Sequence, residues 1–322
     1  GDFNLAPSVT RPYGSGTTHQ VTSPIVGTVN LENGRDINGN ALTNTVITHP
    51  VTGTEIPQRS NIIITTGFTL PGFTGSMHAA RVYKPVIDSS KSVGYKFVAD
   101  GTKLWEASTP AAASRNIYTS LPDGTVVAFT TANAATLLPY LLKASDATAL
   151  GPAKALDAAT TLIDYIRMQP LGAIVDSTPA IMDPPSLDPP PDADYPGFVD
   201  DNKERRSMIW VGANDGMLHG IDARLGKEVW AFIPFNLLPK LRALRSGQPL
   251  GDFRFYVDGS PKVADVKVGG QWYSYLVMGE GPGGTFYQTF DVTLPNMGQT
   301  VSPTSDTLAD VLSYFSSASS VP

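Results

Sequence analysis

The sequence contains no cysteine, which removes disulfides, thiolate nucleophiles, zinc–thiolate sites and iron–sulfur clusters in one step. Charge is scarce as well. Asp, Glu, Lys and Arg make up 16% of the 322 residues, against about 25% in ordinary soluble proteins. Thr, Ser, Asn, Gly and Pro fill the gap, giving a polar, weakly charged surface of the kind common in secreted β proteins. With a net charge of −6, nothing draws the chain to a phosphate backbone, so nucleic acid is not an expected partner. No apolar run approaches the roughly 20 residues that span a bilayer, so no transmembrane segment is expected. The opening GDFNLAPSVTRPYGSG has neither the basic nor the apolar region of a signal peptide. The chain reads as a fragment that begins inside a longer polypeptide and ends, at YFSSASSVP, without a closing element.

What the sequence does contain is short β-type runs: NIIITTGF (61–68), YKFV (95–98), GTVVAF (124–129), MIWVG (208–212), EVWAFI (228–233), FRFYV (253–257) and YSYLVMG (273–279). They are rich in Val, Ile, Phe, Tyr and Trp and bounded by Gly, Pro, Asn and Asp, the signature of strands and turns. Helices are expected at 132–145, at 152–169, and in a shorter piece at 236–246. The second opens on Pro152 and carries Leu156, Ala159, Leu162, Ile163 and Ile166 at helical spacing. The third carries Leu237, Leu238, Leu241 and Leu244 on one stripe.

The β material repeats. SPIVG (23–27), TPAIM (178–182) and SPKVA (260–264) each precede an apolar strand ending in Gly67, Gly212 or Gly279. Turn residues follow, and then SMHAARV (76–82), MLHGID (217–222) or TFYQTFDV (285–292). Two units continue into a strand with tryptophan, TKLWEA (102–107) and KEVWAF (227–232). Four antiparallel strands per unit at irregular spacing is the pattern of propeller blades with inserted loops. An ordinary β-sandwich is the competing architecture. The expectation is an all-β chain, a β-propeller that is incomplete within residues 1–322, with a helical insertion at 132–169 and a flexible, acidic, Pro-rich loop at 183–204.

The richest stretch is WVGANDGMLHGIDARLGKEVWAFIP (210–234). Asn214-Asp215-Gly216 predicts a hairpin turn, and Trp230 is expected to lie buried between neighbouring sheets. Pyrroloquinoline quinone propellers share the general shape of this repeat, so a quinoprotein-like propeller is implied. The longer series resembles the PilY (PilC) family of type IV pilus tip and biogenesis proteins. It runs from NIYTSLPDGTVVAF (116–129) and DYIRMQPLGAIVDSTPAI (164–181), through the stretch above and FYVDGSPKVADV (255–266), to GEGPGGTFYQTFDVT (279–293). The resemblance covers about residues 60–295. It implies a non-catalytic binding and assembly protein, exposed on the cell surface or pilus. Minor pilins or a pilus tip complex, and a host or abiotic surface, are its implied partners. A von Willebrand-type domain and a complete Asp-x-Asp-x-Asp-Gly calcium loop, both familiar in that family, are missing, so calcium dependence is not carried over. A quinone-dependent dehydrogenase and an outer-membrane assembly scaffold are the alternative readings. The dehydrogenase would need repeated Trp-docking units and adjacent cysteines, and the latter are absent.

No catalytic, cofactor or metal residue is assigned. GEGPGG (279–284) has the spacing of a dinucleotide fingerprint, but a strand-like TFYQTFDVT follows instead of a helix, so it reads as a hairpin turn. Asp192, Asp194, Gly197 and Asp200 occupy positions one, three, six and nine of a calcium loop, yet Pro196 and Lys203 stand where ligands are needed. Asp36, Asn38 and Asn40 read as a turn. His19, His49, His78 and His219 form no short metal-ligand pair. His78 and His219 occupy similar places in two repeat units, implying a packing or hydrogen-bonding role. No G-x-S-x-G elbow exists. Lys240, Arg242 and Arg245 read as the solvated face of a capping helix, with a partner-facing basic patch as the alternative. Loops 27–60 and 183–206 are the expected recognition surfaces.

Overall fold

The computed structural model describes residues 103–203, 205–223, 225–245 and 254–293. Outside them it describes the strands between residues 18 and 99, a few adjoining residues, and the strand Ser319–Val321. These residues form mostly sheet. The first sheet holds β1 (Thr18–His19), β2 (Ile25–Asn30), β5 (Arg59–Thr69), β6 (Thr74–Arg81) and β9 (Lys103–Glu106). Two small hairpins, β3 (Ile47–Thr48) with β4 (Glu55–Ile56) and β7 (Tyr83–Ile87) with β8 (Tyr95–Ala99), lie in its connections. The second sheet holds β10 (Ile117–Ser120), β11 (Val126–Ala128), β12 (Ala180–Met182), β13 (Met208–Gly212), β14 (Leu218–Asp222) and β15 (Glu228–Ile233), in the order β11-β10-β15-β14-β13-β12. β16 (Lys262–Val268), β17 (Gln271–Gly279), β18 (Tyr287–Asp291) and β19 (Ser319–Val321) follow in sequence order in the third. Every pairing is antiparallel except that of β10 with β15.

Each sheet contains the same four-strand unit in the same register. Ile25 faces Ile64, Ala180 faces Trp210, and Lys262 faces Val277. Each of these first-strand residues directly follows the proline of a Ser/Thr-Pro motif. One strand further, Ile64 faces Ala79, Trp210 faces Gly220, and Val277 faces Thr289. The tryptophans then coincide: Ala79 faces Trp105 and Gly220 faces Trp230, and in both units the register shifts immediately afterwards.

The sheets stack face to face. Ile64, Met77, Ala79 and Trp105 of the first pack on Ile209, Val211, Ile221 and Ala223 of the second. The opposite face of the second sheet, with Trp210, Leu218, Trp230 and Phe232, packs on Leu276, Met278, Phe290 and Val292 of the third. A strand covered on both faces has no solvent side, so β13 reads as a continuous apolar run. Trp230 is fully buried and lies 6.1 Å from the Phe290 ring. Adjacent units are also sutured through equivalent loops: Asp176 N–H donates to Asp258 Oδ1 at 2.9 Å, and Thr178 N–H to Ser260 Oγ at 2.9 Å. Among the described strands none pairs the first unit with the third: β2 pairs with β5, and β18 with β17 and β19.

Helices α1 (Ala134–Leu141), α2 (Ala144–Leu150) and α3 (Pro152–Met168) stand between β11 and β12. Leu137, Leu141, Ala159, Leu162, Ile163 and Ile166 join Ala231, Ile233 and Leu238 in one core. Leu156, on the same apolar spacing, stays exposed. The expected helix at 236–246 is split into a 3-10 turn, Phe235–Lys240, and α5 (Leu241–Arg245), with Pro239 removing an N–H where they meet.

Two expectations need correction. Helices are not confined to 132–169 and 236–246, because α4 (Tyr195–Asn202) forms within the stretch read as a flexible loop. Its Tyr195 and Phe198 are buried. Residues 254–257 of the expected strand FRFYV join no sheet. Their backbone is held by a side chain instead: Asn214 Nδ2 donates to Arg254 O, and Tyr256 N–H donates to Asn214 Oδ1.

Candidate functional site

The chemistry of the chain concentrates around the hairpin β13–β14. Ala213 N–H donates to Met217 O at 3.0 Å, and Gly216 takes φ +93°, a left-handed conformation that favours glycine. The expected hairpin at Asn214-Asp215-Gly216 is therefore present. It aims Asp215 back under its own strand. There Asp215 accepts from Gly172 N–H at 3.0 Å and from Met217 N–H at 3.2 Å. His219 Nε2 lies 3.1 Å from Asp215 Oδ2, and its Nδ1 lies 2.6 Å from Glu228 Oε2. Glu228 is also gripped by Arg115, with Nε 2.6 Å from Oε1 and Nη2 2.9 Å from Oε2. Arg115, His219 and Glu228 are all buried.

Burial alone would push the His219 imidazolium toward neutrality, but Asp215 and Glu228 outweigh it and raise its pKa to about 9. Burial likewise opposes ionised Glu228, yet Arg115, then His219, hold it down at about 2. The four side chains form an alternating row of charges, Arg115⁺, Glu228⁻, His219⁺ and Asp215⁻. Arg115 further donates to the carbonyls of Arg167 and Gln169, and Arg167 to those of Phe129, Ala112 and Arg115. The row thus ties the helical insertion to the hairpin. It holds no nucleophile and no open position, so its chemistry is cohesion.

The seam between the second and third units is different. Asp258 is buried, its Oδ1 accepts from Asp176 N–H, and burial, with Asp176 nearby, raises its pKa to about 6. Ser177 Oγ donates to Gly259 O at 3.1 Å and accepts from Gly212 N–H at 2.9 Å. Burial also raises the pKa of Glu280, which accepts from Asn236 at 2.7 Å.

The acidic residues at 192–200 do not form a calcium loop. Asp192 Oδ1 accepts from the N–H groups of Asp194 and Tyr195 and from Trp272 Nε1, and its Oδ2 accepts from Lys267 at 2.7 Å. Lys267 also reaches Asp194 at 2.6 Å and, as the first cause, holds Asp192 at about 2. Gly197 and Asp200 lie in α4. Among the described residues no group of three or more His, Asp or Glu is placed to hold a metal ion, and no helix is long and apolar enough to cross a membrane. GEGPGG closes a hairpin from β17 into β18 through a 3-10 turn at Gly281–Gly283. Lys240 donates to Gly283 O and Arg242 pairs with Asp146, so these two basic residues brace neighbouring segments. His19, His49, Asp36, Asn38 and Asn40 lie outside the residues whose side chains are described. The ionic row has one sequence signal, the shared place of His78 and His219. Arg115 carried none, because Glu228 lies 113 residues away, and Glu228 carried none although His219 is nine residues from it.

Residues 171–301, which include the second seam and most of the ionic row, match the family described as the PilY1 beta-propeller domain. This segment is similar to the PilY1 propeller family. Type IV pilus biogenesis factor PilY1 of Pseudomonas aeruginosa strain PAO1 is 42% identical over 132 residues, covering 39% of this chain and 11% of the relative. A type IV pilus biogenesis factor PilY1 homolog of Xylella fastidiosa strain Temecula1 is 34% identical over 220 residues, 61% of this chain and 16% of the relative. The crystal structure of the P. aeruginosa PilY1 C-terminal domain shares 40% identity over 31% of this chain and 18% of that chain, with a TM-score of 0.23. The chain therefore spans 11–16% of the length of these two relatives. Within the PilY1 segment lie Asp215, His219, Glu228 and Asp258, whereas Arg115 reaches in from outside it.

Proposed function

We propose that this chain is the propeller part of a type IV pilus-associated biogenesis factor and tip adhesin, acting as a non-catalytic binding and assembly platform at the cell surface. The observation that carries this reading is the PilY1 match at 171–301, which coincides with the most strongly braced part of the structure. The buried charges of the ionic row are neutralised against one another, as suits a rigid scaffold, and recognition falls to the loops around it. The proposed partners are minor pilins of the tip complex and the surface to which a pilus attaches. The 183–206 loop is the proposed contact region. Its anchored base at Tyr195 leaves Leu187 and the acidic end of α4 facing solvent.

The test is genetic. The region encoding residues 171–293 is deleted in a piliated host, and surface pili, twitching and attachment are scored. Loss of piliation or attachment, restored by the intact gene, is the expected result. Unchanged piliation, twitching and attachment would refute the proposal. Capture of minor pilins by the purified chain, weakened by charge reversal at Asp200 and Asp201, tests the contact region separately.

A further inference from the structure

The connection from β12 to β13 is pinned at both ends and leaves its tip in water. Arg205 holds the near end by donating to Asp183 O at 3.0 and 2.6 Å, and Pro185 is buried. Asp192 holds the far end through Lys267 and Trp272 Nε1. Between these anchors Ser186 to Pro191 are all exposed, with Leu187 at 49%. The tip is nevertheless fixed from within: Leu187 N–H donates to Tyr195 Oη at 3.2 Å, and that hydroxyl donates to Asp265. Both faces of the second sheet are covered inside the chain, so this exposure is not that of a sheet awaiting a neighbour.

An exposed leucine whose backbone is already held has little freedom to lose on binding. Pro189, Pro190 and Pro191 add to this, since each ring locks its own φ at about −65°. A stiff loop carrying an apolar group binds at a low ordering cost. Proline-rich segments are received by grooves lined with aromatic rings. Charge narrows the partner further. Residues 183–202 carry six aspartates and no lysine or arginine, and Asp188, next to Leu187, is exposed. Such a loop is repelled by an anionic lipid or polysaccharide surface and drawn to a groove with a basic rim.

We infer that the 186–191 tip seats in a groove on a minor pilin that is lined by aromatic side chains and rimmed by Lys and Arg, with Leu187 on its floor. This rests on the proposed function, which supplies the pilin. The loop supplies the chemistry that selects a basic protein groove over the anionic outer surface of a cell.

Surface plasmon resonance of the intact chain over purified minor pilins, each immobilised singly, tests this. Vesicles of phosphatidylglycerol and phosphatidylethanolamine serve as the competing surface. Binding to a pilin and none to the vesicles is the expected result. Leu187→Ala should weaken that binding about tenfold or more, through faster dissociation. Asp188→Lys should slow association and lessen its dependence on salt. Pro190→Gly with Pro191→Gly should weaken binding by loosening the tip while leaving Leu187 in place. All four side chains are exposed, so melting points equal to that of the wild type are expected and show that the losses are not unfolding. A Leu187→Ala chain that binds as tightly as wild type overturns the inference. So does a wild-type chain that binds no pilin or prefers the vesicles. Deletion of 171–293 reads the proposed function separately: piliation lost on deletion but untouched by Leu187→Ala would keep that function and remove the loop's part in it.

Discussion

His78 and His219 occupy the same register position in two sheets, each one residue before the position that faces a tryptophan. Their surroundings differ. Burial first, and then Lys103, which stands where Glu228 does, lower the pKa of His78, whereas His219 is gripped by two carboxylates. One backbone position has thus been used for a half-exposed neutral ring and for a buried cation.

The first prediction concerns that cation. His219 is raised from 6.5 to about 9, so its contribution to stability is complete below pH 6.5 and is lost as pH rises through 9. Glu228 is lowered from 4.5 to about 2, so its contribution is present above pH 4.5 and is lost as pH falls through 2. From these two groups alone, thermal melting should be flat from about pH 5 to 6.5 and then fall toward pH 10. Glu228→Gln leaves Arg115 and His219 buried without their shared anion and should cost about 3–5 kcal/mol. His219→Gln should flatten the alkaline fall.

At the seam between the second and third units the sign is opposite to that of an ordinary ion-paired carboxylate. Asp258 binds its proton more tightly folded, at about 6, than unfolded, at 3.8. Its contribution is therefore complete below pH 3.8 and is lost as pH rises through 6. Asp258→Asn keeps the shape and the acceptor for Asp176 N–H without the charge. This variant should melt higher than wild type at pH 7.5 and nearly equal to it at pH 3.5. A lower melting point at pH 7.5 would contradict the assignment.

Trp230→Ala should destabilise the chain by about 3–5 kcal/mol, read from denaturant midpoints. The ring is fully buried between the second and third sheets and packs near Phe290. Gly226→Ala probes the other seam. Its Cβ would sit 2.5 Å from the Trp105 ring at a φ of +67°, so both contact and backbone oppose it. A melting point unchanged by either substitution would show that the stacking is misassigned.

The anchoring of α4 can be read by limited proteolysis. Tyr195 packs edge-on against Trp272 at 5.0 Å and donates to Asp265 at 2.6 Å. Trp272→Ala removes the ring and the N–H that Asp192 accepts. Cleavage within 183–204 should accelerate about tenfold or more, as expected for a local loss of 1.4 kcal/mol or more, while the global melting point moves little.

The sequence by itself determined most of the strand content, the hairpin at Asn214-Asp215-Gly216, the alignment of the three Ser/Thr-Pro motifs and the equivalence of His78 with His219. These features are written in nearest-neighbour chemistry: β-branched and aromatic runs, a glycine at positive φ, proline before a strand. Only the tertiary structure decided that 195–202 is helical. The acids and prolines there read as loop, and what fixes the helix is Trp272, Lys267 and Asp265, at least 70 residues away. Only the tertiary structure completed the setting of His219: Asp215 and Glu228, which raise its pKa, are four and nine residues away, but Arg115, which holds Glu228 ionised, is 113 residues from that glutamate. It also separated a buried Trp210 from an exposed Val277 at one register position. Local sequence fixes which dihedrals and faces a segment prefers. Burial and charge depend on what lies across the gap, and that is set by how the sheets stack.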